Sequence, residues 1–442
     1  MASPHTISRP EWVLALMTLG HLSAYGALYV DNAAQDVRGQ EEQGMYHPVI
    51  RKPDLRVGLL MGLLFGLSLL MFSACGGQDS AKGGGGQEHK KSASGSSAPT
   101  EGQIAFSRWF DPDQTKGAIF MMNPDGSHVR QITHPLKGRR DDLPARSPDG
   151  TKVAFERTAT GYGSRITVVD VDTGDTHDVT HCGPDGGWTK ENPPPSSGHY
   201  CVGDSQPAFS PDGQSIAFRR IIGPEEASSI VEGIWIVGLD GSDPHQVTNV
   251  DRTLPESYSD YGPAFSPDGK MLVFDRQRRK REPELGGEEN FYHAVFVQPI
   301  DASGSPEDAR QITPWKANCQ TDPEFSPDAK LVLFRCLPKG DLGTEGPSNL
   351  YWVHPDGTGL HQLAETAAEK ESYWYGGSSF SPSFSEREGW ITVARVPGYG
   401  KEDNADVFRM RIEGGDVVRS ENLTKSTLWD SAPNWGPHPP VG

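Results

Sequence analysis

The chain has 442 residues, of which only 35% are hydrophobic, and it carries 51 Gly and 36 Pro. That balance is too polar and too turn-rich for a compact α/β enzyme and suits an all-β protein. The formal net charge of −18 argues against nucleic acid as a partner, because phosphate contacts need basic surface, and leans towards basic or cationic partners.

In chain order, residues 1–44 form an unassigned extension. Residues 12–30 are moderately apolar, but His21 and several Gly and Ser weaken them as a membrane helix. Met45 is a good start for an export signal, so the first 44 residues read as a start placed too early. Arg51, Lys52 and Arg56 precede an apolar run over 57–72, which ends in Ser73-Ala74-Cys75-Gly76. Basic, apolar and small residues in that order predict a secretory signal over 45–75. The Ser-Ala-Cys end resembles a bacterial lipobox, with Phe72 where Leu is usual. The resemblance implies diacylglycerol on Cys75, which becomes the mature N-terminus and anchors the chain in a membrane. An uncleaved membrane helix is the alternative, and either one places the remainder of the chain outside the cytoplasm, at the cell surface or in a periplasm. Residues 76–101, rich in Gly, Ser and Lys, cannot bury a core and read as a flexible tether.

From residue 102 to 437 the chain repeats itself. Pro144-Ala-Arg-Ser-Pro-Asp-Gly-Thr-Lys-Val-Ala-Phe155 returns at Pro207, Pro263 and Pro323, in degraded form at Pro382, and as a half copy at Pro433. An alternating run enters a Ser-Pro-Asp-Gly turn and a second alternating run leaves it. Pro presets φ and Gly takes the positive φ, so each copy is a β-hairpin. A second hairpin follows each first one, as in Ala118 to Thr133 and Gly233 to Thr248. Four short strands recurring roughly every 50 to 60 residues predict propeller blades. Six leading motifs predict six blades. Gln103 to Arg108 looks like a second strand without a first, and Pro433 to Pro437 like a first without a second. Joined, they close the ring and leave no open sheet edge. Residues 438–442 are a short tail.

The Pro-x-Phe-Ser-Pro-Asp-Gly-x-x-Ile-Ala-Phe pattern resembles the TolB-type β-propeller repeat, a relative of the WD-type blade. The resemblance implies the fold strongly and the function weakly, since that fold hosts scaffolds, receptors and a few enzymes. TolB itself carries an α/β domain ahead of its propeller. Here the tether is expected to run straight into the first strand, so a role in that envelope system does not carry over. Some peptidases place a hydrolase domain after such a propeller; none is expected here.

Four cysteines fall in the exported part, and an even count outside the cytoplasm suggests two disulfides. Cys319 and Cys336 flank the hairpin turning at residues 326–330. With Phe325 opposite Leu331 they face each other within one residue, close enough to bridge. Cys182 and Cys201 then close the long loop 183–200. A Cys₄ zinc site lacks the paired short spacing it needs.

No nucleophile elbow, zinc-protease helix or Walker loop occurs, so no catalytic residue and no cofactor is expected. Asp170-Val-Asp-Thr-Gly-Asp175 faintly resembles a calcium loop but sits where other blades have turns. His134 and His181 occupy matching places after a fourth strand, with His199 nearby. Some TolB-like pectate-fragment lyases hold a metal through several propeller His, so a polysaccharide lyase or hydrolase is the enzyme alternative; solvated loop histidines are the simpler reading. Arg276-Gln-Arg-Arg-Lys-Arg281, between the second and third strands of a blade, reads as a solvated loop or, more sharply, as a docking patch for anionic polymer or lipid headgroups.

The leading reading is a non-catalytic binding module for a protein, peptide or glycan; a structural envelope component is a further alternative. Turns within hairpins are short and alike, whereas the links from strand two to three and from blade to blade are long and dissimilar, and all fall on one face. On that face Asp141, Asp204, Asp260 and Asp430 each stand three residues before a leading Pro, with Gln320 and Ser379 in the other two blades. With the aromatic clusters around Tyr261 and Trp374, they are expected to ring the channel mouth and hold a cation or basic segment. The plainer alternative is that these Asp shape the strand start by accepting backbone N–H bonds.

Overall fold

The computed structural model describes residues 102–436, apart from 160–162, 183–199, 224–230, 249–255, 282–288, 303–307, 337–348, 364–372, 383 and 397–403. The segments expected to be signal and tether, with Cys75, lie outside the described residues. No helix among those described is long and apolar enough to cross a membrane.

Among the described residues twenty-four strands form six four-stranded antiparallel sheets. Blade one is β4 (Arg139–Arg146), β5 (Lys152–Ala159), β6 (Ser164–Asp170) and β7 (Thr176–Asp178). Blade two runs from β8 (Tyr200–Phe209) through β9 (Ser215–Gly223) and β10 (Val231–Gly238) to β11 (His245–Gln246). Blade three is β12 (Glu256–Phe265), β13 (Met271–Arg281), β14 (Glu289–Pro299) and β15 (Arg310–Gln311). Blade four is β16 (Cys319–Phe325), β17 (Val332–Cys336), β18 (Asn349–Val353) and β19 (His361–Gln362). Blade five is β20 (Tyr373–Phe380), β21 (Gly389–Val396), β22 (Asp406–Glu413) and β23 (Asp416–Asn422). Blade six joins the two ends of the ring: β24 (Trp429–Gly436) pairs with β1 (Gln103–Trp109), followed by β2 (Gly117–Met122) and β3 (Arg130–Gln131). The closure expected from the sequence is therefore present. Each first strand packs against the first strands of both neighbours, β24 meeting β4, so the six make a closed inner ring.

Local chemistry explains each hairpin. In the Ser-Pro-Asp-Gly turns the Ser hydroxyl donates to the Asp carboxylate at 2.6 Å in blades one to four. That carboxylate also accepts a backbone N–H two residues on. Gly150, Gly213 and Gly269 take φ near +70°, and Ala329 takes the same conformation without the glycine. The Thr after the fourth strand accepts the amide of the third: Thr133 from Ile119, Thr180 from Ile166, Thr248 from Ile234, Thr313 from Val295 and Thr424 from Val407.

The core is shared between blades rather than held within them. Apolar clusters fill the seams one–two, two–three, three–four, four–five, five–six and six–one. In the last, Ala105, Ile119 and Met121 of blade six meet Val153, Phe155 and Val169 of blade one.

Two sequence expectations are corrected. Arg276 to Arg281 is not a loop: it is the end of β13, paired residue by residue with β14, because blade three has the longest strands. Blade five does not start at Pro382. Phe380 pairs with Ile391 as Phe265 pairs with Leu272, so Ser381-Pro382 occupies the turn and Ser378 stands in the leading position.

Candidate functional site: the inner ring and its long-link face

Every first strand carries an irregularity just before its leading position, at Asp142/Ala145, Ser205/Ala208, Tyr261/Ala264, Gln320/Glu324, Trp374/Ser378 and within 431–434. The residue in the bulge has positive φ: Leu143, Gln206, Gly262, Asp322, Gly377 and Ala432. The bulge divides each strand into an upper part, near the long links, and a lower part.

The upper part holds the four predicted aspartates, and the structure corrects their expected role. Asp141, Asp204, Asp260 and Asp430 are all 0% exposed, and none is an open carboxylate. Each takes a two-pronged guanidinium from the neighbouring strand at 2.7 Å for Nε and 2.8–2.9 Å for Nη2: Arg157, Arg220, Arg276 and Arg108 in turn. The cause is legible in the repeat. The Arg stands two residues after the Phe of Ile-Ala-Phe, directly across the ladder from the Asp. It lies over that Phe, with Arg157 5.0 Å from Phe155 and Arg220 5.0 Å from Phe218.

Blades four and five replace the pair. Their bulges hold one residue more, so the position opposite the Arg is not the one counted from the sequence. In blade four it is Cys319, opposite Cys336, and the disulfide stands where the other blades have Asp and Arg. Gln320 is one step along, opposite Arg335. In blade five the position is Trp374, opposite Arg395, and Ser379 lies below the bulge. The side chain of Trp374 lies outside the described residues.

At the bulge the ring closes on itself. Gln206 of blade two donates from Nε2 to Asp322 of blade four at 2.9 Å, and its Oε1 accepts the Gly262 amide of blade three at 3.1 Å. A Cβ on Gly262 would stand 2.7 Å from the Asp322 carboxylate, so glycine is what lets this crossbar pass. Burial, helped by the Asp275 charge, pushes Asp322 up to about 6. Below the bulge, burial pushes Glu324 to about 8; it accepts the Ser379 hydroxyl at 3.3 Å, and Ser379 Oγ accepts the Trp435 amide at 3.1 Å.

Tyr261, predicted at the mouth, belongs instead to a polar belt between blades. Arg219 lies 4.2 Å over its ring and pairs with Glu232 at 2.9 Å. Burial, then the Glu232 carboxylate, holds the Tyr261 phenol far above its usual range. Beside it His293 Nδ1 lies 2.9 Å from Asp275, and its Nε2 lies 3.0 Å from Gln277 Nε2, so the Nδ1–H tautomer satisfies both contacts. Glu156, pushed by burial to about 7 against the pull of Arg140 and Arg219, completes the belt in blade one.

The remaining candidates separate. His134 and His181 are exposed loop residues in different seams, and His199 lies outside the described residues. Among the described residues the one group of three metal-binding side chains is Cys182, Cys201 and Asp204, whose sulfurs are joined and whose carboxylate holds Arg220. Asp170 accepts the amides of Asp172 and Thr173, as a turn residue does. The basic end of β13 is laid over aromatics, with Arg278 4.7 Å from Trp315 and 5.2 Å from Tyr292.

Sequence reasoning missed Gln206, Asp322, Glu324 and the Asp275–His293 pair. One signal was present. Glu324 replaces the Ala that follows the leading Pro at Ala145, Ala208 and Ala264, and a repeat that departs from type at a buried place marks a side chain with another task.

Comparison with solved structures agrees with the architecture. TolB from Acinetobacter baumannii is 18% identical, with a TM-score of 0.50, over 77% of this chain and 68% of that one. A putative TolB from Agrobacterium tumefaciens is 16% identical over 73% of this chain and 88% of its own, with a TM-score of 0.43. An oligogalacturonate lyase in complex with manganese is 13% identical over 69% and 76%, with a TM-score of 0.38. The likeness to the Acinetobacter protein shows a TolB-like propeller fold and nothing beyond the fold. No protein-family model matches the chain. No curated protein matches it either.

Proposed function

We propose that the protein is a non-catalytic binding module outside the cytoplasm, held to a membrane through lipid on Cys75, which presents its long-link face to a protein, peptide or glycan. The observation that carries this reading is the Cys182–Cys201 disulfide. It ties both ends of the longest link to the inner ring, Cys201 lying in β8 three residues before the buried Asp204. A staple of that kind costs a loop its freedom before a ligand arrives, which lowers the entropy lost on binding. The two disulfides fit an oxidising compartment. Beneath the links, the Gln206–Asp322 crossbar and four closed ion pairs give a rigid floor. Recognition then falls to the rim, where links differ from blade to blade.

The test is photo-crosslinking in intact cells from sites within 183–199, comparing the native chain with one whose residues 184–198 are replaced by a short Gly-Ser linker. The expected outcome is a discrete crosslinked product that the replacement abolishes while the melting temperature moves by less than about 3 °C. An unchanged product formed by other rim positions would place recognition elsewhere.

A further inference from the structure

One blade departs from type at a buried position. The residue after Pro-x packs in the seam between blades, and blades two to six fill it with Phe209, Phe265, Phe325, Phe380 and Trp435. Blade one has Arg146, 7% exposed, in the seam with blade six. Among the described residues no carboxylate bonds to its guanidinium. Nη1 donates to the Gln103 carbonyl at 3.3 Å and lies 3.8 Å from the Met121 sulfur, Nη2 donates to the Gly150 carbonyl at 3.2 Å, and Nε has no partner there. A second guanidinium comes to the same place. Arg130 of β3 reaches the same sulfur at 4.0 Å and donates to the Val171 carbonyl at 3.3 Å. The carboxylate whose field reaches Arg146 is Asp149, but its oxygens are taken by Ser147 and Thr151 in the turn. Lys152 adds a further positive charge beside that turn. Burial, then the charge of Arg130, draws Arg146 down to about 10, which leaves it a cation at neutral pH.

A buried guanidinium with carbonyl and sulfur partners alone is less stable than the aromatic its sister blades use. The half-buried guanidinium of Arg130 alongside also repels it. The arrangement becomes favourable when an anion with two or more oxygens lies between them, since guanidinium N–H groups match that geometry. We propose that this corner of the short-turn face, between blades six and one, is a binding site for an oxyanion group, a carboxylate or a phosphate or sulfate ester, with Arg146 as its floor and Arg130 as its rim. The site lies on the opposite face from the long links, so it stands or falls independently of the binding reading above.

The experiment is calorimetric titration of the detergent-solubilised full chain with inorganic phosphate, sulfate and malonate at constant ionic strength. The native chain should bind one equivalent saturably, and the order of phosphate, sulfate and malonate distinguishes an ester from a carboxylate as the natural group. R146F, which restores the sister residue, should weaken binding at least tenfold while raising the melting temperature. R130Q should weaken it at least threefold, and R310Q, the matching Arg of blade three, should change nothing. Should R146F fail to fold, R146K serves instead, keeping the charge without the fork, with a threefold or greater loss expected. Absence of saturable binding in the native chain, or equal affinity in native and R146F proteins, would overturn the proposal and leave Arg146 a structural oddity.

Discussion

Glu324 shows how much one side chain changes in this ring. In blades one to three its position is Ala; here it is a carboxyl wedged against Ser379, whose oxygen in turn holds the Trp435 amide of the closing strand. Burial raises Glu324 to about 8, Glu156 to about 7 and Asp322 to about 6. In the unfolded chain all three ionise near 4 to 4.5, so between that range and their folded values the native state binds more protons than the unfolded one. Stability carried by these groups is complete only below about 4, falls from there upwards, and is gone once pH has risen through 6, 7 and 8. Urea unfolding should therefore show a native protein less stable at pH 8 than at pH 5.5. E324Q, which keeps the shape and cannot ionise, should gain about 1–2 kcal/mol over the native chain at pH 8 and little at pH 5.5, allowing for the residue's partial exposure. A parallel offset at both pH values would assign the effect to packing. The ion pairs make the opposite point. Asp260 and Arg276 are the most enclosed of the four pairs, at 0% and 5% side-chain exposure, and D260N takes the buried countercharge from a guanidinium that lies over Phe274 and Phe296. The expected loss is about 3 kcal/mol, against less for D430N, whose Arg108 partner is 15% exposed and can reach water.

At the scale of the element, the hairpin was readable and its register was not. Turn chemistry is local: Ser, Pro, Asp and Gly announce themselves, and strands two to four follow by alternation. A bulge is not local. Whether it holds one residue or two is not marked by the turn chemistry, and that single residue moves the count in blades four and five. In blade five a second Phe-Ser at Phe384-Ser385 imitates the repeat and draws the leading position to Pro382. The long strands of blade three were hidden for another reason: a run of like charges reads as solvent-facing unless its aromatic partners, Tyr292 and Trp315, are known to lie alongside. The shifted register has a test of its own. If Cys319 and Cys336 replace an Asp–Arg pair, C319D/C336R should accept the ion pair that four sister blades use. With the Cys182–Cys201 bond left oxidised, C319A/C336A should fall about 2–4 kcal/mol below the native protein. C319D/C336R should recover about half of that in denaturant unfolding. Recovery no better than the alanine pair would mean that the wider bulge of blade four no longer presents those positions to each other.

The molecule as a whole is held by its seams. Among the described residues six apolar clusters each draw on two blades, and none lies within a single blade. The charges follow the same logic. The residue just before the inner-ring Arg, or before its disulfide counterpart, is Glu156, Arg219, Asp275 and Arg335 in blades one to four, alternating in sign, so the Arg219 charge pulls on Glu156 and that of Arg335 pulls on the neighbouring Asp322. Stability of this kind depends on closure, and closure rests on β1. Ile104 and Phe106 face Val407 and Leu423 of blade five, Ala105 faces Val153 and Phe155 of blade one, and Arg108 holds Asp430. Removing residues 103–108 therefore does more than shorten one sheet. It empties half of two seams, leaves Asp430 without its guanidinium, and exposes ladder edges on both β24 and β2. F106A alone should cost about 3–4 kcal/mol as a buried aromatic truncation, with a single cooperative transition retained. The deletion should differ in kind: a broad transition with a reduced urea dependence, and binding of a hydrophobic dye before the main unfolding step. If blades were self-sufficient, as in an open stack of hairpins, the deleted chain would keep the native slope and lose only one blade's share of the unfolding enthalpy. Calorimetry and urea titration on the two variants separate these outcomes, because a local defect lowers the midpoint while a broken ring changes the slope.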